Sequence, residues 1–195
     1  MRARSSKKAA GAGSKRVDAI ALLVQDHRKV KRLLKELDGT TERATVRRES
    51  LFKEIENELK THTELEEDVF YRAYKEASRK SDQHLYYEAV EEHHLVDLVL
   101  PEMEASDVES REFSAKAKVL RDLVEHHIKE EETETFPRAR RAMGTEELLE
   151  LGIQIQERKM NLQSGLITRA ARTAGFAFEA VMSRVSTRNR KKRAA

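Results

Sequence analysis

The chain has 195 residues, 38% hydrophobic and 37% charged, with two prolines, seven glycines, no tryptophan and no cysteine. That length suits one domain with extensions, and the lack of thiols excludes disulfides, thiolate metal sites, iron–sulfur clusters and a cysteine nucleophile. The net charge of +3 is uneven: residues 1–16 and 184–193 carry six Lys/Arg each and no acid, so subtracting those twelve leaves 17–183 at −9.

The start, MRARSSKKAAGAGSKR, lacks the apolar stretch of a secretory signal and has no apolar face, so residues 1–16 read as a basic arm. Two readings stand for it and for the tail at 184–195: a disordered solubilising segment, or attachment to nucleic acid or an anionic membrane surface. No apolar run approaches the ~20 residues of a membrane span. A cytoplasmic location is expected.

A first helix is predicted from Asp18, as N-cap, to Gly39, as a C-terminal stop. Its apolar stripe, Ile20, Leu23, Val24, Val30, Leu34 and Leu37, has His27 in its middle. Thr40 or Thr41 is expected to cap a second helix reaching about Ala77. That helix turns Leu51, Ile55, Leu59, Leu65, Val69 and Phe70 inward together with His62 and Glu66. Ser81 or Asp82 should open a third helix, with Tyr86, Val90, His93, Val96, Val99 and Leu100, which Pro101 bends or ends. Ser106 with Glu109 reads as a capping box for a fourth helix carrying Phe113, Leu120, Leu123, Val124 and His127; Pro137 should kink its last turns before Gly144.

The halves repeat. His27 and His62 are 35 residues apart, His93 and His127 are 34 apart, and the same apolar offsets follow His27 and His93. A period of about 65 residues points to a duplicated helical hairpin. The expected fold is all-α: an up-down-up-down four-helix bundle over 17–143, with a C-terminal helical extension over 144–183 and basic tails. In the extension, Gly152 and Gly165 weaken the helix, and 173–185 holds Phe176, Phe178, Val181 and Met182. Those four residues read either as a cover for the bundle or as a patch for self-association or membrane anchoring.

Each of the four helices places one histidine on its apolar stripe, and His62 and His127 are each followed four residues later by a carboxylate, Glu66 and Glu131. That spacing puts both side chains on one helix face. Burying two carboxylates costs several kcal/mol each without a compensating cation, and no lysine or arginine lies on those stripes. A pair of metal ions held by His27, His62, Glu66, His93, His127 and Glu131 would compensate. Helix register selects His93 and His127 over His94 and His126, which sit about 100° away. His84, His94 and His126 are expected to be solvated or outer-sphere, and Glu67, Glu130 and Glu132 to form a solvated acidic flank. Glu58 is a weak extra candidate.

The motifs Asp26-His27 with Val30/Leu33/Leu34, His62-x-x-x-Glu66-Glu67, Glu92-His93 with Val96/Val99/Leu100, and His127-x-x-x-Glu131-Glu132 before Phe136-Pro137 resemble the hemerythrin-like, or HHE cation-binding, domains of bacterial type over about 17–142. The resemblance implies two non-haem iron ions, oxo- or hydroxo-bridged. By it, His27 and His62 serve one iron, His93 and His127 the other, and Glu66 and Glu131 bridge them. Tyr86, on the face of His93, is then either core or a hydroxyl donor to an iron-bound oxygen species. The oxygen carriers of this family have a His-x-x-x-His pair on the third helix, where this chain has Asp97. Either Asp97 binds iron or that iron lacks a protein ligand, and an open position favours reactivity over simple carriage.

The expected function is a di-iron protein that interacts with O2, peroxide or NO, by sensing or by catalase- or peroxidase-like redox chemistry. The alternative is a non-catalytic helical interaction protein whose metal is structural and whose basic arms bind an acidic partner.

Overall fold

The computed structural model describes residues 16–193, with side chains as far as Ser164. The expectations for the N-terminal arm, and for Phe176, Phe178, Val181 and Met182, lie outside what is described. The chain divides into two compact units, one reaching Ile155 and one from Gln156 onward.

The first unit is built from α1 (Ala19–Asp38), α2 (Thr45–Leu65), a π-helical turn (Glu66–Phe70), α3 (Tyr71–Ala77), a 3-10 turn (Lys80–Asp82), α4 (His84–Glu104), α5 (Arg111–Glu130), a second π-helical turn (Glu131–Thr135) and the start of α6 (Phe136–Arg193). The long helices form the expected up-down-up-down bundle. α1 packs on α2 and α5, and α4 packs on α5. The second unit continues α6 as helix. No described helix is long and apolar enough to cross a membrane.

Caps set the ends of the helices. Asp18 opens α1 by accepting the Ala21 N–H at 2.9 Å. α1 stops at Gly39 as expected, with the glycine in a right-handed conformation (φ −78°). Thr40 closes α1, its hydroxyl donating to the Leu37 carbonyl at 2.6 Å. The expected Thr40/Thr41 cap of the second helix is therefore corrected: α2 starts after Ala44 with no side-chain cap. Likewise Ser81 and Asp82 lie in the 3-10 turn and Gln83 precedes α4. The Ser106–Glu109 capping box is also corrected, since Ser110 caps α5 through the Phe113 N–H at 3.0 Å. Ser106 donates backwards to the Glu102 carbonyl.

The two prolines behave differently. α4 carries Pro101 internally and stops three residues later. Pro137 falls in the first turn of α6, where a proline needs no N–H, because the π-turn just before it has already broken the regular ladder. Gly144 (φ 74°, ψ 176°) then interrupts α6, at the place where the fourth helix was expected to end.

One apolar layer, including Val30, Leu34, Leu51, Ile55, Leu59, Val96, Leu100, Phe113, Leu120 and Val124, fills the bundle between the histidines and the loops at 39–44 and 105–110. Each fully buried aliphatic side chain there contributes about 1.5–3 kcal/mol. Phe70, Tyr71, Tyr74, Phe136 and Ala139 are buried beyond the histidines. The polar cluster is thus enclosed between two apolar layers.

Candidate metal centre

His27 comes from α1, His62 from α2, His93 from α4 and His127 from α5, while Glu66 and Glu131 open the two π-turns. None of the six is more than 6% exposed. The imidazoles meet in pairs: His27 Nε2 lies 3.1 Å from His62 Nε2, and His93 Nε2 lies 3.1 Å from His127 Nε2. Glu66 sits between the pairs and offers one oxygen to each. Its Oε1 is 3.2 Å from His62 Nε2, and its Oε2 is 3.3 Å from His93 Nε2. Glu131 Oε2 lies 3.0 Å from His27 Nε2 and 3.3 Å from His127 Nε2. Two groups of convergent donors result, His27–His62–Glu66–Glu131 and Glu66–His93–His127.

The π-turns decide what else reaches the centre. The Tyr71 N–H bonds the Glu66 carbonyl, and the Phe136 N–H bonds the Glu131 carbonyl, each five residues back. One widened turn brings residue i+5 above residue i, where a regular helix would bring i+4. Tyr71 and Phe136 therefore face the core. Phe136 stacks on His27 with centroids 5.6 Å apart, and Tyr71 meets His93 edge-on at 6.1 Å. The Tyr71 hydroxyl donates to Glu131 Oε1 at 2.5 Å.

Carboxylates also reach the outer nitrogens of three imidazoles. His27 Nδ1 is 3.0 Å from Glu132, His93 Nδ1 is 3.0 Å from Glu67, and His127 Nδ1 is 2.7 Å from Glu92. The expectation that Glu67 and Glu132 belong to a merely solvated flank is thus corrected. Such pairs fix the ring so that Nε2 points inward. Each of Glu67 and Glu132 serves the histidine of the other hairpin.

His94 and His126 are exposed, as register required, and His84 is exposed as well. Asp97 is exposed and belongs to neither donor group, so the reading that gives it a metal is corrected. Glu58 is engaged by Lys29 at 2.7 Å. Tyr86 is half-buried, its ring 6.0 Å from that of Tyr71 and beneath the Lys75 ammonium. The tyrosine against the cluster is Tyr71.

Charge balance inside the cluster is poised for cations. Burial would lower His27, His93 and His127, but the surrounding carboxylates outweigh it and hold all three above the ordinary imidazole value, His127 well above. Burial would raise Glu66, yet the imidazoles of His62, His127 and His93 hold it well below the usual carboxylate range. Burial, then the charges of Glu131 and Glu66, push the Tyr71 phenol well up. Imidazole nitrogens lie 3.0–3.3 Å from both oxygens of Glu66 and from Oε2 of Glu131, yet none of these buried oxygens makes a well-formed hydrogen bond to the described residues. Buried carboxylate oxygens normally find donors, and a cation between the imidazole pairs satisfies all three. The residues present fit such a group. A cavity of about 20 Å³ adjoins the four histidines, lined otherwise by Val30, Leu59, Thr63, Val96, Val124 and Ile128.

The family model of the hemerythrin HHE cation binding domain matches residues 18–139. The chain belongs to that family. This HHE domain is a metal-binding helical protein, with histidine–glutamate clusters able to hold a cation. Its fold is similar to that of a hemerythrin HHE cation binding domain-containing protein from Mycobacterium kansasii, with a TM-score of 0.69 and 23% identity, covering 78% of this chain and 91% of that one. It is also 27% identical over 142 residues to a protein from Nostoc sp. named DNA nickase. The match takes in 72% of this HHE chain and spans 39% of that relative's length.

Sequence reasoning missed Tyr71, because its inward placement follows from the π-turn and not from the 3.6-residue period. It also missed Glu92, Glu67 and Glu132 as imidazole partners. A signal was present for Glu92: an acid directly precedes both His27 and His93.

Proposed function

We propose that this domain holds two non-haem iron ions, one between His27 and His62 and the other between His93 and His127, bridged by Glu66 and Glu131, and that the centre interacts with O2, peroxide or NO. The observation that carries the reading is the convergence of four buried imidazole nitrogens on carboxylate oxygens that have no other partner among the described residues. With no cysteine in the chain, nitrogen and oxygen donors of this number suit octahedral iron better than tetrahedral zinc. Bound there, the pair would supply redox and Lewis-acid chemistry toward a small ligand.

The protein's own part is positioning and exclusion. Glu67, Glu92 and Glu132 orient the imidazoles. The adjoining cavity is lined mostly by apolar side chains beside the histidines, and its volume suits one molecule of about the size of water. Tyr71 holds one oxygen of Glu131, so that carboxylate presents a single oxygen inward while Glu66 presents two. The Tyr71 hydroxyl is also the one phenol placed to hold or pass a proton at Glu131 Oε1.

The test is iron content of the isolated protein with its optical spectrum before and after hydrogen peroxide. A ferric oxo-bridge band that changes with peroxide supports the reading. Full iron retention in His62→Ala and Glu131→Ala proteins would sink the ligand assignment.

A second reading is favoured by the twelve Lys/Arg at the two ends of an otherwise acidic chain. It has the bundle as an interaction module whose arms contact nucleic acid, and the DNA nickase name of one relative is in keeping with it. Binding of a DNA duplex that weakens steeply with salt, and disappears when both arms are removed, separates this reading from the first.

A further inference from the structure

The two hairpins are near-copies, and among their differences is a contact to one histidine that bears on metal affinity. His127 Nδ1 is held at 2.7 Å by Glu92, the residue directly before His93. Its counterpart in the repeat is His62, and the residue directly before His27 is Asp26, one methylene shorter than glutamate. Among the described residues, no hydrogen bond reaches His62 Nδ1, which is buried. His27 and His93 are each held at 3.0 Å by a glutamate from the opposite hairpin, so His62 alone among the four lacks such a hold.

A carboxylate on the outer nitrogen does two things for an imidazole ligand. It fixes the tautomer and the ring plane, and it makes the inner nitrogen a stronger base. Losing it leaves a ring that must be ordered at the expense of binding energy. Glu66 offers one oxygen to each pair, and Glu131 Oε2 lies between His27 and His127. The outer contact is the difference left among the four imidazoles themselves.

We infer that the two metal positions are inequivalent, that the ion between His27 and His62 is the exchangeable one, and that the choice of aspartate at 26 against glutamate at 92 sets the difference. This rests on the dinuclear reading above. Glu92 is then a positioning residue for His127, and Asp26 marks the half in which that function is lost.

The test uses the full chain loaded with ferrous iron under anaerobic conditions and challenged with a colorimetric ferrous chelator. Release in two phases of equal amplitude is expected, their rates separated by about 10–100-fold, the usual effect of an outer carboxylate on metal affinity. His62→Ala should remove the fast phase and keep the slow one. Asp26→Glu should slow the fast phase toward the slow one, and Glu92→Asp should accelerate the slow phase toward the fast one. These opposite shifts come from charge-conserving changes, so loss of folding cannot imitate both. A single release phase from a protein carrying two irons overturns the inference and leaves the dinuclear reading standing, as does an unchanged fast phase in Asp26→Glu. Failure to bind iron at all overturns both.

Discussion

Tyr71 reaches across the bundle to donate its hydroxyl to Glu131, whereas Phe136, at the matching place in the repeat, has no hydroxyl to offer Glu66. A nearly symmetric cage of four histidines thus has an asymmetric pair of carboxylates. Tyr71→Phe should leave Glu131 Oε1 buried without a donor. The expected cost in chelator-treated protein is about 1–3 kcal/mol, read from urea unfolding. Tyr86→Phe, at the edge of the same cluster, should change stability by under about 0.5 kcal/mol. Equal losses in the two variants would show that the Tyr71–Glu131 bond is not what matters.

Among the described residues, Glu66 is the only side chain whose two oxygens address both histidine pairs. Glu66→Ala should therefore deplete both positions. His62→Ala removes a donor from one pair and should keep roughly half of the iron, since the remaining position retains its own histidines. Elemental analysis of freshly purified variants decides this, and an unaltered iron content in Glu66→Ala would refute the bridging assignment.

The metal-free cluster should give the fold a bell-shaped stability against pH. His27, His93 and His127 have raised values in the folded chain, so their contribution is complete below the ordinary imidazole value of 6.5 and is lost as pH rises through the raised ones. Glu66 is lowered, so its contribution is present above the ordinary 4.5 and is lost as pH falls through the lowered value. Melting temperatures of chelator-treated protein should peak between those ordinary values. Bound metal replaces the imidazole protons, so the loaded protein should keep its stability on the alkaline side. A flat alkaline limb without metal would contradict the charge balance described.

Gly152 has a structural duty that its helix-weakening character hides. A Cβ there would lie 2.1 Å from the Val17 carbonyl oxygen, a contact that backbone cannot relieve by rotating a side chain. Gly152→Ala should destabilise the bundle by roughly 1–3 kcal/mol, although alanine is the better helix former. A gain in unfolding free energy would show that α6 does not need this close approach to the start of α1.

Removing residues 1–16 and 184–195 takes away twelve positive charges without touching the histidine cluster. Iron content and the optical spectrum should be unchanged. Any affinity for a DNA duplex should fall, along with the slope of log affinity against log salt. Retained, salt-dependent binding by the truncated chain would place the contact on the bundle.

Much of the centre is legible in one dimension because helical register is a strong constraint. A four-residue spacing puts His62 and Glu66 on one face, and the repeat sets His27, His93 and His127 on matching stripes, so burial follows from the pattern. His94 and His126 are excluded for the same reason. Caps are less legible: Thr40, Ser106 and Ser110 all carry capping chemistry, and only the path of the loop selects among them.

By itself the sequence determined the helical class, the duplicated hairpin and the six buried donors, since each depends on periodicity within one helix. Tertiary structure decided everything that passes between helices. It brought Tyr71 to Glu131 through a turn that breaks the period, and it turned Glu67 and Glu132 from flank residues into partners of the opposite hairpin's histidines. It also left His62 without the carboxylate that holds His127. Such contacts depend on distances of a methylene or less, and those are set by how the helices pack.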